Sequence, residues 1–202
     1  MNLKHKYYFW ENELSPKMCE DIIKLGLSKK NKKGTIFDTN ISNSKLKKLR
    51  DSSVVFLDET WLFKLVNHYI KKANELSGWN FDIDYIENMQ FTIYKENQHY
   101  GWHCDSTEEP YHTPDDIKKH GKMRKISATI SLTDPKKYKG GDFEFDFRCH
   151  NNIKKNKFHK VKEIKKRGGI VVFPSHLWHR VLPITKGTRY SLVVWTCGRP
   201  FK

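Results

Sequence analysis

The stretch "HYGWHCDS", residues 99–106, sets a histidine and an aspartate two positions apart, with Cys104 between them. On an extended strand, side chains at i and i+2 project to one face, so His103 and Asp105 can meet at a single point while Cys104 turns away. An imidazole and a carboxylate form a borderline-to-hard ligand pair. A second histidine would complete the two-histidine, one-carboxylate set that leaves coordination positions open on iron(II). The segment "FPSHLWHRVLPITKGTRYS" offers His176 and His179 for that role. Ten residues beyond His179 stands Arg189, at the start of a predicted strand, where its planar fork can grip a carboxylate near the metal. Ser191 faces the same way and can add a hydrogen bond, whereas His176 is out of step with that arginine.

Such a cluster needs elements to hold it. "LSPKMCEDIIKLGL" opens with Ser15 as an N-cap and Pro16 at the first helical position, with Met18, Ile22, Ile23 and Leu27 at helical spacing. The lysine-rich stretch to Arg50 reads as loop or short strand. "ETWLFKLVNHYIKKANELSG" then places Trp61, Leu62, Leu65, Val66, Tyr69, Ile70, Ala73 and Leu76 on one helical face before Gly78, with His68 at the surface. After residue 80 come short β-type runs, "MQFTIY", "KISATISL", "GDFEFDF", "GIVVFP" and "RYSLVVW", separated by Gly, Pro, Asn and Asp. The pattern predicts an α+β protein of one domain over residues 1–202: a helical part over about 1–80 packed on a β-sandwich or barrel over about 81–202.

The 202 residues are 37% hydrophobic and 13% aromatic, which suits a folded chain and not a disordered one. No apolar run approaches the length of a membrane helix and the N-terminus lacks a signal-peptide core, so the expectation is a cytoplasmic protein with no membrane partner. Cys19, Cys104, Cys149 and Cys197 show no C-x-x-C spacing and read as free thiols. The net charge of +15 raises the question of nucleic acid, and residues 148–167 carry nine basic side chains against Glu163. The excess is built from 31 lysines and only 7 arginines, a composition that fits a solvated basic hairpin better than a phosphate-reading surface.

The order H-x-D, "GGD", "FPS", "WH", then arginine ten residues later in "RYS", resembles the 2-oxoglutarate- and iron(II)-dependent dioxygenases, specifically their prolyl 4-hydroxylase-like branch. The likeness runs from about Tyr94 to Trp195, and "ENELSPKMCEDIIKLG" is similar to that branch's N-terminal helix. Many plant and animal members carry lysine where Arg189 stands, so the arginine points to a bacterial and phage-like subgroup. The resemblance implies a double-stranded β-helix, or jelly roll, with iron(II) held by His103, Asp105 and His179. It further implies 2-oxoglutarate held by Arg189, Ser191 and Tyr94, O2 as cosubstrate and ascorbate as an accessory reductant. Tyr100, Arg124 and Trp195 would line the substrate side. The implied reaction hydroxylates a C–H bond, most simply on a prolyl or other peptide substrate, with release of succinate and CO2. The segment 106–123 follows two ligands directly and has the length of a lid.

Three other readings compete. A nucleic-acid dealkylase of the same superfamily would use the basic charge, but normally shows a second arginine six residues after the first, where this chain has Trp195. A non-catalytic jelly-roll module docking an acidic partner through residues 148–167 has no need of four aligned site residues. A zinc hydrolase can be built from two histidines and an aspartate, yet gives Arg189 no role.

Overall fold

In the computed structural model, residues 4–35, 42–147 and 158–201 are described. In chain order the elements are β1 (Tyr8–Trp10), α1 (Pro16–Ser28), β2 (Lys32–Lys33), α2 (Asn43–Leu49), β3 (Arg50–Asp51), β4 (Ser53–Leu57) and α3 (Thr60–Leu76). There follow β5 (Tyr85–Ile86), β6 (Met89–Tyr94), β7 (His99–His103), β8 (Met123–Ser131), β9 (Tyr138–Gly140), β10 (Phe143–Phe145) and β11 (His159–Lys160). The chain ends with β12 (Ile170–Pro174), β13 (His179–Val181), β14 (Ile184–Gly187) and β15 (Arg189–Gly198).

Ser15 Oγ accepts a hydrogen bond from the Met18 amide at 3.2 Å, and Pro16 costs α1 nothing because its missing N–H falls in the first turn, where amides have no acceptor within the helix. In α3, Leu62, Val66, Ile70 and Ala73 recur every three or four residues and are buried. The expected stripes are wider than the buried ones: Leu27, Trp61 and Leu76 lie at their edges and are exposed. Both helices cover one face of the larger sheet. Gly26 lets α1 approach closely, since a Cβ there would fall 2.4 Å from the Phe91 ring.

The larger sheet runs β1-β12-β8-β15-β6-β4-β2, with β5 also paired to β15, and faces a sheet ordered β11-β10-β13-β7-β3. Every pairing between these strands is antiparallel, as in Leu192↔Ile130 and His179↔His103. This is the expected α+β jelly roll. Period-two alternation divides each central strand between two cores. Leu192 and Val194 join Ile22, Val66, Ile70 and Phe91 under the helices, while Phe143, Phe145, Val171 and Phe173 fill the space between the sheets. Burial of each such large side chain stabilises the fold by ~1.5 to 3 kcal/mol.

The first 80 residues are less purely helical than expected. β1 pairs with β12 and β4 with β6, both through partners distant in sequence. The lysine-rich stretch before Arg50 holds the short helix α2, capped by Ser42 Oγ on the Lys45 amide. Residues 148–157 of the basic segment lie outside the described residues. In its remainder, Lys160 and Lys165 both pair with Asp142, Lys166 with Glu11 and Arg167 with Glu20. Those four cations are spent within the protein. No helix among the described residues is long and apolar enough to cross a membrane.

Candidate metal centre

His103 ends β7, Asp105 follows it, and His179 opens β13 directly across from His103. Strand pairing therefore brings together residues 76 positions apart in the chain. The ligand atoms of the three lie within 4.8 Å of one another, the only such cluster among the described residues. Asp105 Oδ1 sits 3.8 Å from His103 Nε2, and Oδ2 sits 3.6 Å from His179 Nε2. Each imidazole is oriented from behind: Nδ1 of His103 donates to the Gly101 carbonyl at 2.8 Å, and Nδ1 of His179 donates to that of Leu177 at 2.9 Å. These bonds fix the tautomer and leave both Nε2 lone pairs aimed at the carboxylate.

Burial, with the neighbouring His179, pushes the His103 imidazole down to about 3, so it is neutral and available as a ligand. For Asp105, burial alone would raise the carboxyl, but His179, His103 and Arg124 outweigh it and hold the group below its usual range. Asp105 Oδ2 is buried with no hydrogen-bond partner among the described residues. An orphaned carboxylate oxygen facing two imidazole nitrogens is costly for a metal-free protein and fits a divalent cation such as iron(II). His176 stays outside the cluster, exposed on the turn before β13. Cys104 is turned away, its thiol on the Ser106 carbonyl at 3.4 Å, and Cys19, Cys104 and Cys197 are free. Cys149 lies outside the described residues.

Arg189, Ser191 and Tyr94 line the same cleft as the three candidate ligands. Arg189 Nη1 reaches Ser191 Oγ at 3.5 Å, and its guanidinium lies 5.8 Å from the Tyr94 ring on the paired strand β6. Only 2% exposed, Arg189 faces no carboxylate among the described residues. Gly141, at φ 62°, leaves room for it: a Cβ there would stand 3.2 Å from Arg189 Cδ. Phe143 and Phe173 pack on His179 with ring centroids 5.4 and 4.8 Å away, making the inner wall apolar.

Tyr100, Arg124 and Trp195 come together in an adjoining groove that Asp105 also lines. Tyr100 stacks on His103 at 3.4 Å and 9°, and the Arg124 guanidinium lies 3.8 Å over the Trp195 ring. Trp195 Nε1 is buried and has no hydrogen-bond partner among the described residues. The sequence reading missed what holds Arg124: Glu87 accepts from its Nε at 2.8 Å and its Nη2 at 2.9 Å. Glu87 also accepts from Tyr111 Oη and Lys119 Nζ, which tie the segment 106–122 to this wall. None of residues 106–122 is among those that line the cleft or the groove.

Burial alone would raise the Glu87 carboxyl, but the Arg124 fork and Lys119 hold it down at about 2. The depressed value means a stabilisation that is full above the ordinary carboxylate range and lost as pH falls towards 2. Glu87→Gln, which leaves Arg124 buried without its counterion, should cost ~3 to 5 kcal/mol at pH 6, with a gap that narrows as the pH approaches 2. Urea unfolding of both proteins across that range measures it; a gap independent of pH would refute the assignment.

A family model for the 2OG-Fe(II) oxygenase superfamily matches residues 89–197. A PKHD-type hydroxylase of Xylella fastidiosa (strain 9a5c) is 32% identical over 111 residues, 52% of this chain and 42% of the relative. The PKHD-type hydroxylase YbiX of Escherichia coli O157:H7 is 32% identical over 106 residues, 52% of this chain and 40% of the relative. Each match thus takes in less than half the length of the curated relative. Among solved structures, a Pseudomonas putida prolyl-4-hydroxylase superposes with a TM-score of 0.68 at 16% identity, covering 95% of this chain and 92% of that one. A viral collagen prolyl hydroxylase from Paramecium Bursaria Chlorella virus-1, in a 2OG complex, gives 0.64 at 18% identity, with 96% and 97% covered.

Proposed function

The chain belongs to the 2OG-Fe(II) oxygenase superfamily, and from that premise we propose that it hydroxylates a C–H bond of a prolyl or other peptide substrate, forming succinate and CO2 from 2-oxoglutarate. The observation that carries this reading is the shared cleft: three converging ligand side chains and a buried arginine without a counterion among the described residues face one space. Iron(II), with 2-oxoglutarate and O2, supplies the oxidising power when bound. His103, Asp105 and His179 hold the metal through two Nε2 atoms and a carboxylate. The Arg189 fork, with Ser191 and Tyr94, takes the far carboxylate of 2-oxoglutarate, a match of charge and bidentate geometry. Phe143, Phe173 and Val181 keep water from the reacting atoms, and Tyr100, Arg124 and Trp195 orient the substrate beside Asp105.

A peptide is the better substrate class for this groove because its walls offer the aromatic faces of Tyr100 and Trp195 together with hydrogen-bond donors. The bacterial and viral prolyl hydroxylases among the structural neighbours support the same class. The test is exposure of the iron(II)- and 2-oxoglutarate-loaded protein to air with proline-containing peptides, followed by mass spectrometry. Succinate should form together with a peptide heavier by one oxygen; succinate formation that no peptide stimulates would refute the substrate class. Trp195→Ala should lower peptide-dependent succinate formation by roughly tenfold more than peptide-independent formation, the equivalent of ~1.4 kcal/mol. An equal fall in both would remove Trp195 from the substrate side.

A further inference from the structure

Of the described arginines that are not exposed, Arg124, Arg167 and Arg180 each have a glutamate partner, in Glu87, Glu20 and Glu144. Two have no carboxylate among the described residues: Arg189, already assigned to a cosubstrate carboxylate, and Arg50. Arg50 is 5% exposed, and among the described residues its hydrogen bonds go to neutral acceptors: Ser52 Oγ at 3.0 Å, the Thr35 carbonyl at 2.6 Å and Gln90 Oε1 at 3.1 Å. Those bonds use three of the five N–H donors of a guanidinium and hold its plane fixed. Its carbon lies 4.5 Å over the Tyr100 ring, whose other face is stacked on His103. Gly34 completes the cradle, since a Cβ there would fall 2.6 Å from Arg50 Nε.

Arg50 lines the groove beside Asp105, together with Lys32 and Lys33 on β2, both exposed. Asp105 is itself turned to the two imidazoles. Desolvating a charge without a counterion is expensive, and a pre-oriented guanidinium in a substrate groove recovers that cost when an anion docks on it. We propose that Arg50, with Lys32 and Lys33 at the rim, is a recognition site for a carboxylate of the substrate, so that the protein acts on an acidic peptide carrying Asp or Glu close to the hydroxylated residue. A side-chain carboxylate ends a slim, unbranched stem and can reach a guanidinium this deep, whereas a phosphodiester is flanked by sugars on both sides. The proposal rests on the peptide reading of the groove.

The test uses the protein loaded anaerobically with iron(II) and 2-oxoglutarate, and proline heptapeptides that carry Asp, or Asn in its place, at each flanking position in turn. Calorimetry should show, at one position, the Asp peptide binding about tenfold more tightly than its Asn twin, as a charge-assisted hydrogen bond requires. Arg50→Gln should bring that ratio close to one, and Arg50→Lys should keep part of it. The exposed pair Lys32→Gln and Lys33→Gln should reduce it by about two- to threefold, keeping the test open if Arg50→Gln does not fold. Asp and Asn peptides that bind equally at every position would overturn the role of Arg50 and leave the peptide reading intact. Failure of every peptide to bind would overturn both. Loss of 2-oxoglutarate affinity in Arg50→Gln would place Arg50 in the cosubstrate site instead. Arg50-dependent binding of a short single-stranded DNA would replace the carboxylate with a phosphate.

Discussion

Replacing His103, Asp105 or His179 by alanine, one at a time, should abolish the visible charge-transfer band expected when iron(II) and 2-oxoglutarate are added without oxygen, and succinate formation with it. The loss is complete for each because the site has three protein ligands in reach of one another and no fourth His, Cys, Asp or Glu among the described residues to stand in. His176→Ala and Cys104→Ser keep the band: His176 lies outside the cluster and the Cys104 thiol faces the Ser106 carbonyl. Anaerobic spectrophotometric titration of the five variants decides the matter. A band that survives His179→Ala but vanishes in His176→Ala would reverse the assignment, and a thiolate signature lost in Cys104→Ser would add a ligand.

Arg189→Ala should weaken 2-oxoglutarate binding by ~1.5 to 3 kcal/mol, roughly ten- to a hundredfold, with iron affinity little changed. The fork is buried in the wall of the cleft with Ser191 and Tyr94, away from solvent that could compensate. Arg189→Lys restores the charge but not the two parallel donors, so it should recover only part of the affinity. Titration of 2-oxoglutarate into the iron(II)-loaded variants, followed by the same visible band, separates cosubstrate from metal affinity. Unchanged 2-oxoglutarate affinity would refute the role of Arg189.

Much of this arrangement was legible before any coordinates. Ser15-Pro16 and the spacing of Leu62, Val66, Ile70 and Ala73 are local signals, and α1 and α3 lie where they point. That His103 and Asp105 share a face was legible from strand alternation, whereas their meeting with His179, 76 positions on, was legible only through the family resemblance and the ten-residue step from His179 to Arg189. β1 and β4 were not, since what makes them strands is pairing with β12 and β6, far along the chain. α2 was hidden by its lysines, which carry little periodicity; its N-cap, Ser42, was the readable clue. Glu87 and Arg50 escaped for another reason. Nothing in "YIENMQ" or "KLRDSS" distinguishes a surface charge from a buried one, and only the folded chain shows that Glu87 has an arginine against it and that Arg50 has no acid against it among the described residues.

The alternation along β15 also bears on how this chain can change over evolutionary time. Arg189, Ser191, Val193 and Trp195 look into the cleft, and Leu192 and Val194 look towards the helices. A point substitution at an odd-numbered position alters chemistry or selectivity and leaves the packing beneath the helices alone. An insertion or deletion inside the strand does the reverse of fine adjustment: it rotates apolar side chains into the cleft and an arginine into the core at once. Lineages carrying this strand should therefore diversify by exchange of single residues at positions such as 195, while length variation is confined to the connections around it.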